Sequence, residues 1–309
     1  MRIQLAAAIV AAAALSTAAP AHAQNTADGE HLPYYLAMDP PIVYPGAIIR
    51  LRVSPPPGIT SGSVLVAGRR YMGMIDEDGL FCAYFAVDID TLPGPYELSW
   101  DVGPRHGSRV VTVRARRMDE EGRGELQLTR EDLKVEDLVR TNPRLVSLWN
   151  RITLDRYWSG NFLVPAGGPM VATFAMRRTS ETSLGLPHTG VDLAPRAGSD
   201  VVATGEGVVA LVASGPGAKI VAIDHGYGLY TYYFGLGEVF VDEGQSVRRG
   251  ATIGRMPASS RGVLHFGVRL AGAEVDPVSL PGIALKVPAL QGERRAPKEE
   301  KDRKNDYDY

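Results

Sequence analysis

The stretch VLHFGVRL, residues 263–270, reads as a β-strand with a single imidazole in it. Leu264, Phe266, Val268 and Leu270 recur with a period of two and form one unbroken apolar side, the side that packs into a core. His265 falls on the opposite side with Val263, Gly267 and Arg269, so the alternation places it off that core. Further strand candidates precede it: VVATGEGVVALVA (201–213), KIVAIDHG (219–226) and LYTYYFGL (229–236). Residues 160–283 are thus expected to form a Gly-rich, antiparallel β unit.

Upstream, residues 35–118 show the same alternation on a smaller scale. In AIIRLRVS, Ile49, Leu51 and Val53 share a face while Arg50 and Arg52 take the other, and YELSWDV (96–102) repeats the device. Turn chemistry separates the runs: PPPG at 55–58, DEDG at 76–79, PGP at 93–95 and GPRHG at 103–107. This predicts a β-sandwich, immunoglobulin-like in its strand spacing. The fold class is therefore mainly β, with two β units and a short helical connector at 126–159. In that connector Leu145, Leu148, Trp149 and Ile152 fall at helical spacing and form a packing stripe, with Pro143 in the first turn.

The ends of the chain differ from this middle. MRIQLAAAIVAAAALSTAAPAHAQ has one basic residue, a short Ala-rich core and Ala21-His22-Ala23, the pattern of a secretory signal peptide over residues 1–23. The expected location is periplasmic or extracellular, with no membrane span, since no later segment has the length and apolarity of one. Residues 292–309, GERRAPKEEKDRKNDYDY, are charged and apolar-poor, as in a disordered tail. A net charge of −2 with scattered Lys and Arg offers no field for nucleic acid. The lone cysteine, Cys82 in LFCAYFAV, rules out an intrachain disulfide and reads as a small buried hydrophobe. There is no internal repeat and no nucleotide-binding glycine loop; GEG at 205–207 reads as a turn.

Six histidines are present. His22 belongs to the leader, His31 to the segment after it and His106 to a turn, which leaves His188, His225 and His265 for any imidazole chemistry. His188 opens HTGVD, with Asp192 at its end. Fully extended, their side chains would stand about 13 Å apart, too far to share a metal with bonds of about 2 Å. The segment must bend, and Gly190 is the expected place. Taken alone, the pair fits an exposed turn as well as a metal site. His225 ends a strand, where a hydrogen-bonded cap and a functional role are both open.

HTGVD, GSDVVATGEGVV, DHGYGLYTYYFGL and VLHFGVRLAGAEVDP occur in an order and at a spacing that resembles the peptidase M23 family of LytM or lysostaphin-like domains. The resemblance covers residues 160–283 and implies a zinc ion held by His188, Asp192 and His265. It also implies two further histidines beside the metal, at positions that here hold Gly235 and Val263. Losing a positioned acid or base costs about 10² to 10⁴ in rate, and no residue is assigned a catalytic role. The resemblance thus implies an exported, zinc-binding protein directed at peptidoglycan stem or cross-link peptides. It would be a degraded endopeptidase that binds such peptides or regulates a cell-wall hydrolase. The alternative is an active zinc-dependent peptidoglycan metalloendopeptidase with an altered base; a structural envelope protein without metal is the third reading.

Overall fold

The computed structural model describes residues 35–116, 141–159, 161–176, 187–215, 218–258 and 262–285. The expected signal peptide, the charged tail, His22, His31 and the first part of the connector lie outside the described residues. No helix among the described residues is long and apolar enough to cross a membrane.

The alternating runs upstream become seven strands: β1 (Leu36–Asp39), β2 (Ile48–Val53), β3 (Ser61–Val66), β4 (Arg69–Ile75), β5 (Phe81–Ala86), β6 (Gly94–Val102) and β7 (Arg105–Val113). They pair antiparallel in the order β1-β2-β5-β4-β3-β6-β7. Where an immunoglobulin-like sandwich would have two separate ladders, this ladder is continuous. It curls on itself, because Val43, just past edge strand β1, bridges Val113 at the end of the other edge strand. Ile49, Leu51 and Val53 are buried and Arg50 and Arg52 are not, as the period of two requires. Arg52 ties down the DEDG turn by donating to Asp76 at 2.8 Å and to Asp78. Cys82 is a buried free thiol on β5. His106 lies in β7 rather than in the turn before it, with Nδ1 2.6 Å from Asp101 Oδ1.

Helix α1 (Pro143–Trp149) comes next. It is followed by β8 (Met170–Ala172), β9 (Gly190–Leu193), β10 (Asp200–Val202), β11 (Gly207–Gly215), β12 (Ala218–Gly226), β13 (Leu229–Leu236), β14 (Glu238–Val239), β15 (Ser246–Val247), β16 (Thr252–Arg255), β17 (Leu264–Leu270) and β18 (Ala273–Val275). The large sheet runs β15-β11-β12-β13-β17-β9-β8, with β18 also on β17, and β10-β16-β14 form a small one. Strand β17 is central and every residue in it is buried. Its apolar side, Leu264, Phe266, Val268 and Leu270, joins one apolar cluster that extends through to the N-terminal sheet.

The other side is covered by a second cluster. Tyr230, Tyr232 and Phe234 of β13, with Ala222, Ile220 and Leu211, meet Leu145, Leu148 and Trp149 of α1. A helix of seven residues is marginal on its own, so packing must hold it. Asn142 caps it by accepting from Arg144 N–H at 2.9 Å. The Trp149 ring stands 5.8 Å from Tyr230 and 5.4 Å from Tyr232. The Arg269 guanidinium, itself in a buried ion pair with Glu274, lies 5.3 Å from the same indole. Ile152, expected in the stripe, is beyond the helix end and 41% exposed.

His225 has a structural place. Its Nδ1–H donates to the Glu206 carbonyl at 2.6 Å, so Nε2 carries a lone pair and accepts from the Thr231 hydroxyl at 2.8 Å. Thr231 Oγ1 lies 2.9 Å from Tyr233 OH, which accepts from Thr204 N–H at 3.0 Å. Burial pushes the His225 imidazole down to about 4 despite the Glu206 hydrogen bond. Its unfolded value is near 6.5, so protons bind the unfolded chain better and stability falls as pH drops from about 6.5 towards 4. In urea titrations at pH 7 and 4.5, the His225 contribution to this loss is expected to be about 2 to 3 kcal/mol. The His225→Gln protein, with all other titrating groups retained, should lose that much less over the same interval; equal losses in the two proteins would refute it.

Candidate metal centre

Strand register brings the first two candidate donors together. β17 pairs with β9 so that His265 stands directly opposite Asp192, and on its other side with β13 so that His265 stands opposite Phe234. Opposed residues point to the same face of a sheet, which puts His265 and Asp192 on the face that also carries Phe234, Tyr232 and α1. His188 reaches the same point from the loop before β9. Its Nε2 lies 3.1 Å from Asp192 Oδ1 and 3.0 Å from His265 Nδ1, and His265 Nδ1 lies 2.9 Å from the same carboxylate oxygen. The expected trio is therefore one cluster, with one donor atom from each residue.

The chain bends before Gly190 rather than at it. Gly190 is the first residue of β9 and has no left-handed φ. The glycine is needed for space: a Cβ there would lie 3.0 Å from the His265 ring and 2.5 Å from the Phe266 carbonyl oxygen. The sequence placed His265 away from the apolar core, which holds, yet it is 4% exposed because the second face is also covered.

The protonation pattern suits a cation. Thr173 O can only accept, so the 2.8 Å contact to His188 Nδ1 fixes the N–H on that nitrogen and leaves the Nε2 lone pair facing Asp192 and His265. Burial alone would raise the Asp192 carboxyl, but the adjacent His188 and His265 imidazoles hold it well below the usual carboxylate range. Two imidazole nitrogens and one anionic oxygen, 2.9–3.1 Å apart, can share an ion through bonds of about 2 Å. Zinc and similar borderline metals take this donor set.

Residues 186–277, which carry all three donors, match the family model described as peptidase family M23. This segment belongs to that family. Over 94 residues the chain is 35% identical to the peptidoglycan DD-endopeptidase ShyA of Vibrio cholerae, covering 29% of this chain and 22% of that protein. Over 107 residues it is 36% identical to the DD-carboxypeptidase/endopeptidase Mpg of Neisseria meningitidis, covering 33% and 24%. The chain thus spans about a quarter of the length of these relatives. A crystal structure assigned to peptidase M23 from Pseudomonas aeruginosa superposes with a TM-score of 0.55 at 21% identity, over 78% of this chain and 94% of that one. That likeness establishes the fold.

Around the M23 cluster, sheet alternation sorts the remaining polar groups. His225, Thr231 and Tyr233 sit on the opposite face, since Asp224 pairs with Tyr230 and Ala222 with Tyr232. Tyr232 is on the cluster's face, its ring 5.6 Å from His265, and its hydroxyl reaches Thr189 Oγ1 at 3.2 Å by lying across Gly267, where any Cβ would overlap the phenol. Thr173 was not singled out beforehand; it acts through a main-chain carbonyl, for which no side chain is a signal.

Gly235 and the Val263 carbonyl lie against each other just past the last pair of the β13–β17 ladder. The β12–β13 register shifts between Leu236 and Phe234, so Gly235 is a bulge residue, with φ +106. A Cβ at 235 would overlap the Val263 carbonyl oxygen. Gly235→Ala is therefore expected to lower stability by about 1 to 3 kcal/mol through backbone strain alone, read as a fall in the urea midpoint; a midpoint equal to wild type would show that the bulge tolerates a side chain.

Proposed function

We propose that this protein is a zinc-binding, peptidoglycan-directed protein of the periplasm or cell exterior, whose M23 segment binds cell-wall peptides or regulates a wall hydrolase without the family's ordinary hydrolytic cycle. One observation carries this reading. His188 Nε2, Asp192 Oδ1 and His265 Nδ1 converge within 3.1 Å, while the two neighbouring positions hold Gly235 and Val263, which have no titratable atom.

His188, Asp192 and His265 would hold the ion, which when bound supplies a Lewis acid for a peptide carbonyl or carboxylate. The Thr173 carbonyl fixes the His188 tautomer and ring plane, and the strand pairing fixes the other two. Tyr232 walls the site and is tied to Thr189. His225 and Tyr233, on the far face and engaged with each other through Thr231, are in no position to replace a base. The second reading is hydrolysis with an altered base, favoured by the match to proteins named as peptidoglycan endopeptidases.

Two measurements on the purified full chain test the proposal. After folding with zinc and dialysis, wild type should retain about one equivalent by atomic emission, and Asp192→Ala less than a tenth of that. Incubated with purified peptidoglycan, wild type should sediment with it and release no muropeptides on chromatography. Muropeptides produced by wild type and lost in His188→Ala would establish the second reading instead.

A further inference from the structure

The sequence assigns the N-terminal sheet no task, but its contacts point at His188. The strip Thr173–Met176 wraps that residue on three sides: Thr173 O accepts from His188 Nδ1–H at 2.8 Å, Ala175 N–H donates to the His188 carbonyl at 2.8 Å, and His188 N–H donates to the Met176 carbonyl at 2.9 Å. Ala175 has φ +63, a left-handed conformation that a non-glycine residue keeps only when its surroundings impose it.

The side chain next to it, in the middle of the strip, is that of Phe174. Phe174 is 3% exposed, and its ring is seated against the N-terminal sheet. Gly46, in the turn leading to β2, lies so close that a Cβ would overlap the ring. The Arg116 guanidinium, three residues past β7, stands 5.2 Å from the ring centroid. Arg116 is held in turn by the Pro45 carbonyl at 3.3 Å and by Asp276, whose own N–H donates to the Gly46 carbonyl at 2.7 Å. Gly46, Arg116 and Asp276, from the segments next to β2, β7 and β18, thus form a linked socket beside one aromatic ring.

We propose that Phe174 is a positioning residue for the metal centre: the N-terminal sheet grips its ring, and through it sets the Thr173 carbonyl that orients His188. The N-terminal sheet is then part of the support for the ligand set. A partner one bond removed from a metal ligand typically changes metal affinity 10- to 100-fold when lost. The inference rests on the zinc reading above, and the experiment separates the two.

Zinc affinity of the full-length protein is measured by competition with a chromogenic chelator, and the cobalt-substituted protein is followed by its visible absorption. Phe174→Ala should bind zinc about 10- to 100-fold more weakly and alter the cobalt spectrum, while Phe174→Leu, which still fills the socket, should stay near wild type. Val64→Ala, a buried change in β3 away from the socket, serves as a control for general destabilisation and should leave affinity and spectrum unchanged. Should Phe174→Ala fail to fold, Arg116→Ala takes its place, with a weakening of about tenfold expected. Wild-type affinity and spectrum in Phe174→Ala, or in Arg116→Ala where it is the variant used, would overturn the inference. So would equal weakening in Val64→Ala. Absence of zinc from wild type would instead overturn the zinc reading itself.

Discussion

The candidate site depends on the register between β17 and β9. His265 opposes Asp192, and two residues along the same ladder Gly267 opposes Gly190. A slip of one residue would turn His265 into the apolar core and Phe266 out of it, so the burial of Leu264, Phe266, Val268 and Leu270 holds the His265–Asp192 pair in place as much as any polar contact does. The two facing glycines leave room above the ladder, which the His265 ring and the Tyr232 phenol fill. Core packing and ligand placement are thus opposite faces of one strand.

The cluster's face of the sheet is also the face that α1 covers. Trp149 contacts Tyr232, and Tyr232 contacts His265, so the connector and the cluster share one packed aromatic layer. Arg269 belongs to the same layer, two positions beyond Gly267, with its charge matched by Glu274 and its guanidinium near Trp149. Isolated, so short a helix would unravel; here its order comes from the sheet it covers. This arrangement explains why His265 is buried although it faces away from the apolar core.

Much of this was legible in the residues. The period of two in AIIRLRVS and VLHFGVRL gave the correct faces, and helical spacing found Leu145, Leu148 and Trp149, overshooting only at Ile152, where the capping geometry of Asn150 ends the helix. The trio His188, Asp192 and His265 was named in advance through the resemblance of HTGVD and VLHFGVRL to a known family, since the residues alone fitted an exposed turn as well. Three features were not visible. The bend in HTGVD precedes its glycine, because Gly190 answers a steric demand from a ring 75 positions away in sequence. The curling of the N-terminal ladder onto itself rests on the Val43–Val113 bridge, a long-range pairing that alternation does not encode. The Thr173 carbonyl is main chain, and any residue there would present the same oxygen.

The bulge at Gly235 has a consequence for how such a chain can change over generations. Its backbone occupies a conformation reserved for glycine, and the Val263 carbonyl fills the volume where a side chain would begin. A single codon change to histidine would therefore arrive in a backbone unable to receive it, and would reduce the folded population before offering any imidazole. Position 235 is in this sense entrenched: descendants of this sequence can drift around the glycine far more readily than they can replace it.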